Sequence, residues 1–273
     1  MKKINRKVFP AILLVALCLA ALLALGACNQ NNSNVLTIGA TPRPHMEILE
    51  YIRPFLLEEG IELNLVEFSD FPAVNPALAD GVIDVNYFQH RPFLENFPRA
   101  DELYVLGYIH IEPMGAYSYT LDSIEDLQYG AVVALPNDPA NHGRALILLQ
   151  TFGLLELNPD VGVRATYSSD IISNPLSLQF RSLDAGFLPR ALDDPSIDMA
   201  IINTNHVLAG TDLDPVRDSL IMETPDSPFA NLVAVRAEDA DNPATLALLR
   251  HLQSERVRQF IYSQYNNAVL PVF

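Results

Sequence analysis

Two kinds of residue are scarce in this 273-residue chain, and each scarcity narrows what it can be. Its two cysteines, Cys18 and Cys28, both lie within the first 28 residues. The body beyond Cys28 therefore has no thiol, which excludes disulfide staples, thiolate metal centres and cysteine nucleophiles. Such a body must hold itself together by an apolar core, and a composition that is 49% hydrophobic supplies one. Lysine stops at Lys7, and every later basic residue is arginine. Histidines stand at 45, 90, 110, 142, 206 and 251 with no close ligand spacing, so no metal is expected. Gly-x-Ser-x-Gly, P-loop and dinucleotide fingerprints are missing too, and no short-period repeat appears. The acid pairs Asp80 with Asp84 and Asp193 with Asp194 read as ordinary solvated carboxylates. Neither an enzyme nor a cofactor is expected.

What is present begins with a leader. Lys2, Lys3, Arg6 and Lys7 precede an apolar run from Val8 to Leu25, and Gly26-Ala27-Cys28 follows. A basic start, an apolar centre and small residues before a cut describe a secretory signal over residues 1–27. The run carries Pro10 and is followed by polar Asn29 to Asn34 rather than by a positive cluster, which argues against a retained membrane helix. Leu25-Gly26-Ala27-Cys28 also resembles the bacterial lipobox. That resemblance implies a Cys28 carrying acyl chains, residues 28–34 as a flexible tether, and a place on the extracytoplasmic face of the membrane. Removing four of the 17 basic residues leaves 13 against 33 acidic ones, a charge of −20. So acidic a body is not a nucleic-acid binder and has no general attraction to anionic lipid.

From Val35 onward, strand-like and helix-like segments alternate. Val35 to Ala40 and Ile61 to Phe68 read as strands around a helix from His45 to Glu59, with Ile48, Ile52, Phe55 and Leu56 on one face. Leu103 to Tyr119 reads as one long, bent strand region. Strands at 131–135, 178–183, 197–203 and 231–236 then alternate with helices at 140–152, 186–192 and 243–265. This order predicts an α/β fold with two lobes, each a mixed, mainly parallel sheet flanked by helices. The lobes are expected at 35–119 plus 206–273, and at 120–205.

The segment Pro136-Asn137-Asp138-Pro139-Ala140-Asn141-His142-Gly143-Arg144 carries the most chemistry. Asp138 suits an N-cap and Pro139 the first helical position, so a helix starts at a strand end. Asn141 and Arg144 share a face, and Arg144 can lean toward the helix start. Free backbone N–H groups, the positive dipole end and a forked guanidinium would then converge on a carboxylate. An ordinary capped helix with a surface arginine fits the same segment.

Taken with Gly39 to His45, Phe88-Gln89-His90-Arg91-Pro92, Leu188 to Leu192, Ile202-Asn203-Thr204 and Ser227 to Asn231, this segment resembles the MetQ/NlpA family of methionine-binding lipoproteins. The resemblance implies a type II-like periplasmic-binding-protein fold and an ABC importer, permease plus ATPase, as partner. It implies L-methionine as ligand, with D-methionine also in range, held by Arg144 at the carboxylate and by Asn141, Asn203 and Asn231 along the backbone. His90, Phe71, Phe88 and Tyr117 would line the side-chain end, where a thioether suits aromatic rings. Phe71 stands where related sequences often carry tyrosine, and Tyr87 beside Phe88 would narrow the pocket. A methionine-containing dipeptide, another small apolar amino acid and, more remotely, a lipid-anchored hydrolase are the competing readings.

Overall fold

The structure is a computed structural model that describes residues 34–225 and 228–273. The signal segment, Cys28, residues 29–33 of the tether and Ser227 lie outside the described residues, while Asn34, expected as the last tether residue, opens the first strand. No helix among those described is long and apolar enough to cross a membrane.

The strands are β1 (Asn34–Ala40), β2 (Ile61–Glu67), β3 (Val85–His90), β4 (Leu103–Ile111), β5 (Gly115–Tyr117), β6 (Val132–Pro136), β7 (Glu156–Leu157), β8 (Ile171–Ser173), β9 (Gln179–Leu183), β10 (Met199–Ile202), β11 (Ile221–Met222), β12 (Ala230–Arg236) and β13 (Leu270–Pro271). The helices are α1 (Glu47–Glu58), α2 (Val74–Ala79), α3 (Arg91–Glu95), α4 (Pro139–Thr151), α5 (Leu188–Ala191), α6 (Thr204–Gly210), α7 (Pro243–Leu252) and α8 (Glu255–Tyr265). A six-stranded sheet runs β13-β4-β12-β3-β1-β2 and a five-stranded sheet runs β11-β5-β10-β6-β9.

Both sheets are mixed, and each on the same plan. β1 pairs with β3 in parallel, as β6 does with β9 and with β10. The antiparallel partner of β3 is β12, and that of β10 is β5. Those two reversed strands are the ones that enter their sheets straight after the chain has crossed from the other sheet. The crossings lie at 112–114, between β4 and β5, and between β11 and β12. Sequence reading placed the lobe boundaries at 119 and 206. β5, inside the stretch read as one bent strand, instead pairs with β10 and β11 in the second sheet, so the outward crossing comes earlier and the return later.

Period-two alternation shows why both sheets are buried on two faces. Tyr87, Val233 and Val235 point into one core with Ile48, Ile52, Leu248 and Ile261, while Phe88, Leu232 and Ala234 point into another with Val74 and Leu78. In the second sheet, Val133, Leu135 and Ile201 pack on Leu146 and Leu149 of α4, and Ala134, Ala200 and Ile202 pack under Leu188 and Ala191 of α5. Each fully buried leucine or isoleucine contributes roughly 1.5–3 kcal/mol. Four such faces replace the disulfides that the body lacks.

Candidate functional site

α4 begins as its sequence dictates. Asp138 is the N-cap, accepting from the Asn141 backbone N–H at 2.9 Å, and Pro139 opens the helix. The Asp138 carboxylate thereby occupies the helix start, which corrects the expectation of free N–H groups aimed at a ligand. It also accepts from Asn141 Nδ2 at 3.1 and 3.0 Å. Asn141 Oδ1 in turn accepts from His90 Nε2 at 3.1 Å and from Asn203 Nδ2 at 2.9 Å. The side chain of Asn141 thus ties α4 to the ends of β3 and β10. Gly143 is required one turn on, because a Cβ there would meet the carbonyl of Val163.

His90 takes one tautomer. Its Nδ1 accepts from the Phe93 N–H at 3.2 Å, so the proton sits on Nε2 and points at Asn141. Burial, seconded by the Arg144 charge, pushes its pKa down to about 3, and the ring is neutral at pH 7.

Arg144 is 2% exposed and does not reach solvent. The fork that sequence reading offered to a ligand carboxylate is spent within the chain, which corrects that expectation. Nε and Nη2 donate to the two carboxylate oxygens of Glu223 at 2.8 and 2.6 Å, and Nη2 donates again to the Glu112 carbonyl at 2.8 Å. The guanidinium carbon lies 4.3 Å from the centre of the Phe229 ring. A buried cation needs this much partnering, since an unpaired one costs several kcal/mol. Nη1 is the nitrogen left without a partner among the described residues.

Beside Arg144 lies a small cavity of about 20 Å³ lined by Phe71, Phe88, Gln89, His90, Phe93, Glu112, Asn141, Arg144, Asn203, Asn205 and Asn231. It sits between the halves of the body. Phe71, β3, α3 and β12 approach from the six-stranded sheet; α4 and the β10–α6 junction approach from the five-stranded one. One wall is aromatic, with Phe71, Phe88 and Phe93 packed at ring-centre distances of 5.6–6.0 Å. The other is polar. Asn203 is 7% exposed, and among the described residues its Oδ1 is a buried acceptor with no donor. Glu112 is 5% exposed, and burial raises its pKa.

Seven of the eight residues proposed from the sequence line this cavity: Phe71, Phe88, His90, Asn141, Arg144, Asn203 and Asn231. Tyr117 does not. It is fully buried in the core above the second sheet, and its hydroxyl donates to the Pro215 carbonyl at 3.0 Å. Tyr87 does not narrow the cavity either, because strand alternation turns it to the opposite face from Phe88. Sequence reading missed Gln89, Phe93, Glu112 and Asn205. The first two sit within or next to the recognised Phe88–Pro92 motif; Glu112 sits on a crossing that read as strand.

Behind the cavity is a closed polar network that no sequence spacing announced. His45, His110 and Glu112 bring their side-chain donor atoms within 4.8 Å of one another. Each ring nitrogen has a partner in the chain. His45 Nε2 donates to Asn231 Oδ1 at 3.1 Å and its Nδ1 accepts from Thr41, while His110 bridges Glu112 at 2.7 Å and the Tyr87 hydroxyl at 2.5 Å. With its carbonyl so occupied, Asn231 offers its Nδ2 donor to the cavity. Burial pushes the pKa of His45 down to about 4 and that of His110 to about 3.

The profile of the NlpA lipoprotein family matches residues 36–273. The methionine-binding lipoprotein MetQ of Bacillus subtilis is 36% identical over 270 residues, covering 96% of this chain and 98% of the relative. The D-methionine-binding lipoprotein MetQ of Salmonella typhimurium is 35% identical over 253 residues, covering 91% of this chain and 93% of the relative. Among solved structures, a nutrient-binding protein from Burkholderia cenocepacia bound to methionine superposes with a TM-score of 0.83 at 38% identity, covering 87% of this chain and 100% of that one. A family profile spanning all but the first 35 residues, and relatives this similar end to end, leave one conclusion: the chain belongs to the NlpA lipoprotein family.

Proposed function

We propose that the cavity holds L-methionine as a zwitterion, and that the chain is the lipid-anchored substrate-binding protein of an ABC importer. The single observation that carries the reading is Asn203 Oδ1, which among the described residues is a buried acceptor without a donor, on a residue that lines the cavity. A buried acceptor without a donor costs about 1–3 kcal/mol, and a ligand ammonium removes that cost. Glu112 stands ready as a second acceptor. Arg144 Nη1 and Asn231 Nδ2 are donors for the carboxylate, and the three phenylalanine rings receive an apolar, polarizable side chain.

Contacts from both halves make the ligand a bridge. Its binding favours the closed arrangement of two lobes that pivot where the chain crosses between the sheets, and the permease and ATPase would read that closure. Cys28, acylated and first in the mature chain, would hold the body at the extracytoplasmic face of the membrane. Relatives named as D-methionine-binding lipoproteins support including that enantiomer in the proposed range.

Calorimetric titration of the body lacking residues 1–28 tests the reading. L-methionine should bind one to one and more tightly than methionyl dipeptides or leucine. No heat with L-methionine, alongside saturable binding of a dipeptide, would replace the ligand.

A further inference from the structure

Arg144 meets the cavity already neutralised. Its partner Glu223 lies on the return crossing, its side chain 12% exposed, and is not among the residues lining the cavity. Glu223 is itself fixed. Its Oε2 accepts from the Met114 N–H at 2.9 Å, and its own backbone N–H donates to the Met114 carbonyl at 2.9 Å. One carboxylate therefore joins the outgoing crossing, the returning crossing and the arginine of α4.

Two consequences follow for a ligand. The guanidinium cannot swing to offer its fork, so a carboxylate meets Nη1 alone, supplemented by Asn231. The positive charge is cancelled before the ligand arrives, and Glu112 adds a further acidic group. An anion would enter a site with no net positive charge to receive it. A zwitterion supplies an ammonium for Asn203 and Glu112 along with its carboxylate, and so matches the site.

We propose that Glu223 is a specificity-determining positioning residue: it fixes the Arg144 guanidinium and cancels its charge, so that the cavity accepts a net-neutral amino acid and rejects the same molecule without its amino group. This rests on the reading that the cavity holds an α-amino acid. A competing role, in which Glu223 occupies the ligand's place and must be displaced, conflicts with its position outside the cavity lining and with its bond to Met114.

The test is calorimetric titration of the wild-type body, Glu223→Gln and Glu223→Asp with L-methionine and with 4-(methylsulfanyl)butanoate, which is methionine lacking the amino group. Thermal melts establish that each variant is folded. The wild type should strongly prefer L-methionine. Glu223→Gln should weaken L-methionine about tenfold or more and shrink the preference by a similar factor, because a buried negative charge is gone. Glu223→Asp keeps the charge but shortens the reach, so both ligands should weaken with the preference unchanged. If Glu223→Gln fails to fold, Glu223→Asp alone decides, and wild-type affinity for both ligands there overturns the proposal. So does tighter L-methionine binding, or an unchanged preference, in Glu223→Gln. A wild-type protein that binds no L-methionine would instead overturn the ligand reading beneath it.

Discussion

Removing Arg144 should injure the fold as well as the site, and the size of that injury follows from its partners. Arg144→Met leaves the Glu223 carboxylate almost buried, with only the Met114 N–H still bonded to it. Breaking one side of a buried pair costs about 3–5 kcal/mol. The lost contact with the Phe229 ring adds about 1–2 kcal/mol. A domain of ordinary stability has about 5–15 kcal/mol in all, so the single variant should sit near the edge of folding. Glu223→Met should cost a similar amount by stranding the cation. The double variant Arg144→Met with Glu223→Met removes both charges and should cost far less than the sum, because two apolar side chains of similar volume fill the same space. Urea unfolding followed by circular dichroism gives the cycle, with an expected coupling of about 3 kcal/mol or more. Costs that add to within about 0.5 kcal/mol would show that the pair is not energetically coupled, and the account of Arg144 would fail.

Further outcomes are expected at other sites. Tyr117→Phe should leave ligand affinity unchanged and cost about 1 kcal/mol of stability, since its hydroxyl serves Pro215 rather than the cavity; a large loss of affinity would return Tyr117 to the site. Gly143→Ala drives a methyl into the backbone carbonyl of Val163 and should lower the thermal midpoint by several degrees, whereas a neutral melt would mean that the turn yields. Between pH 7 and pH 5 the protein should lose stability. Burial holds His45, His90 and His110 near 4, 3 and 3, so below about 6.5 the unfolded chain takes up protons that the folded one refuses. Burial lowers His142 and His206 as well; the raised pKa values of Glu112 and Asp138 work the opposite way, losing stability as pH rises, but they are two groups against five. A thermal midpoint as high at pH 5 as at pH 7 would contradict this.

Much of the fold was legible because it is local. Short apolar runs located β1, β6 and β12, alternation located β2, and the Asp138-Pro139 pair announced α4 to within a residue. The site motifs were legible for the same reason, since Phe88 and His90 share one strand end and Asn141 and Arg144 one helix turn. What could not be read was pairing across distance. Glu223 stands 79 residues from Arg144, and nothing in either neighbourhood says that one takes the other's fork. The Leu103–Tyr119 stretch is extended throughout, so periodicity could not show that its two ends belong to different sheets. Tyr117 is an aromatic at a strand end, and the pattern there is the same whether the ring faces a ligand or a core. The His45–His110–Glu112 network escaped because His45 follows β1 whereas His110 and Glu112 lie at the end of β4, and the sheet had to be assembled with β12 and β3 between them before those positions met.

The central claim is that an amino acid lies between the halves with its sulfur among phenylalanines and its carboxylate at Arg144. The most direct measurement is a crystal structure with L-selenomethionine bound to protein made with ordinary methionine, with selenium located by anomalous scattering. The account predicts one strong peak in the cavity against Phe71, Phe88 and Phe93, and carboxylate density within hydrogen-bonding distance of Arg144 Nη1. A selenium peak outside that cavity, or a ligand with its ammonium against Arg144, would contradict it.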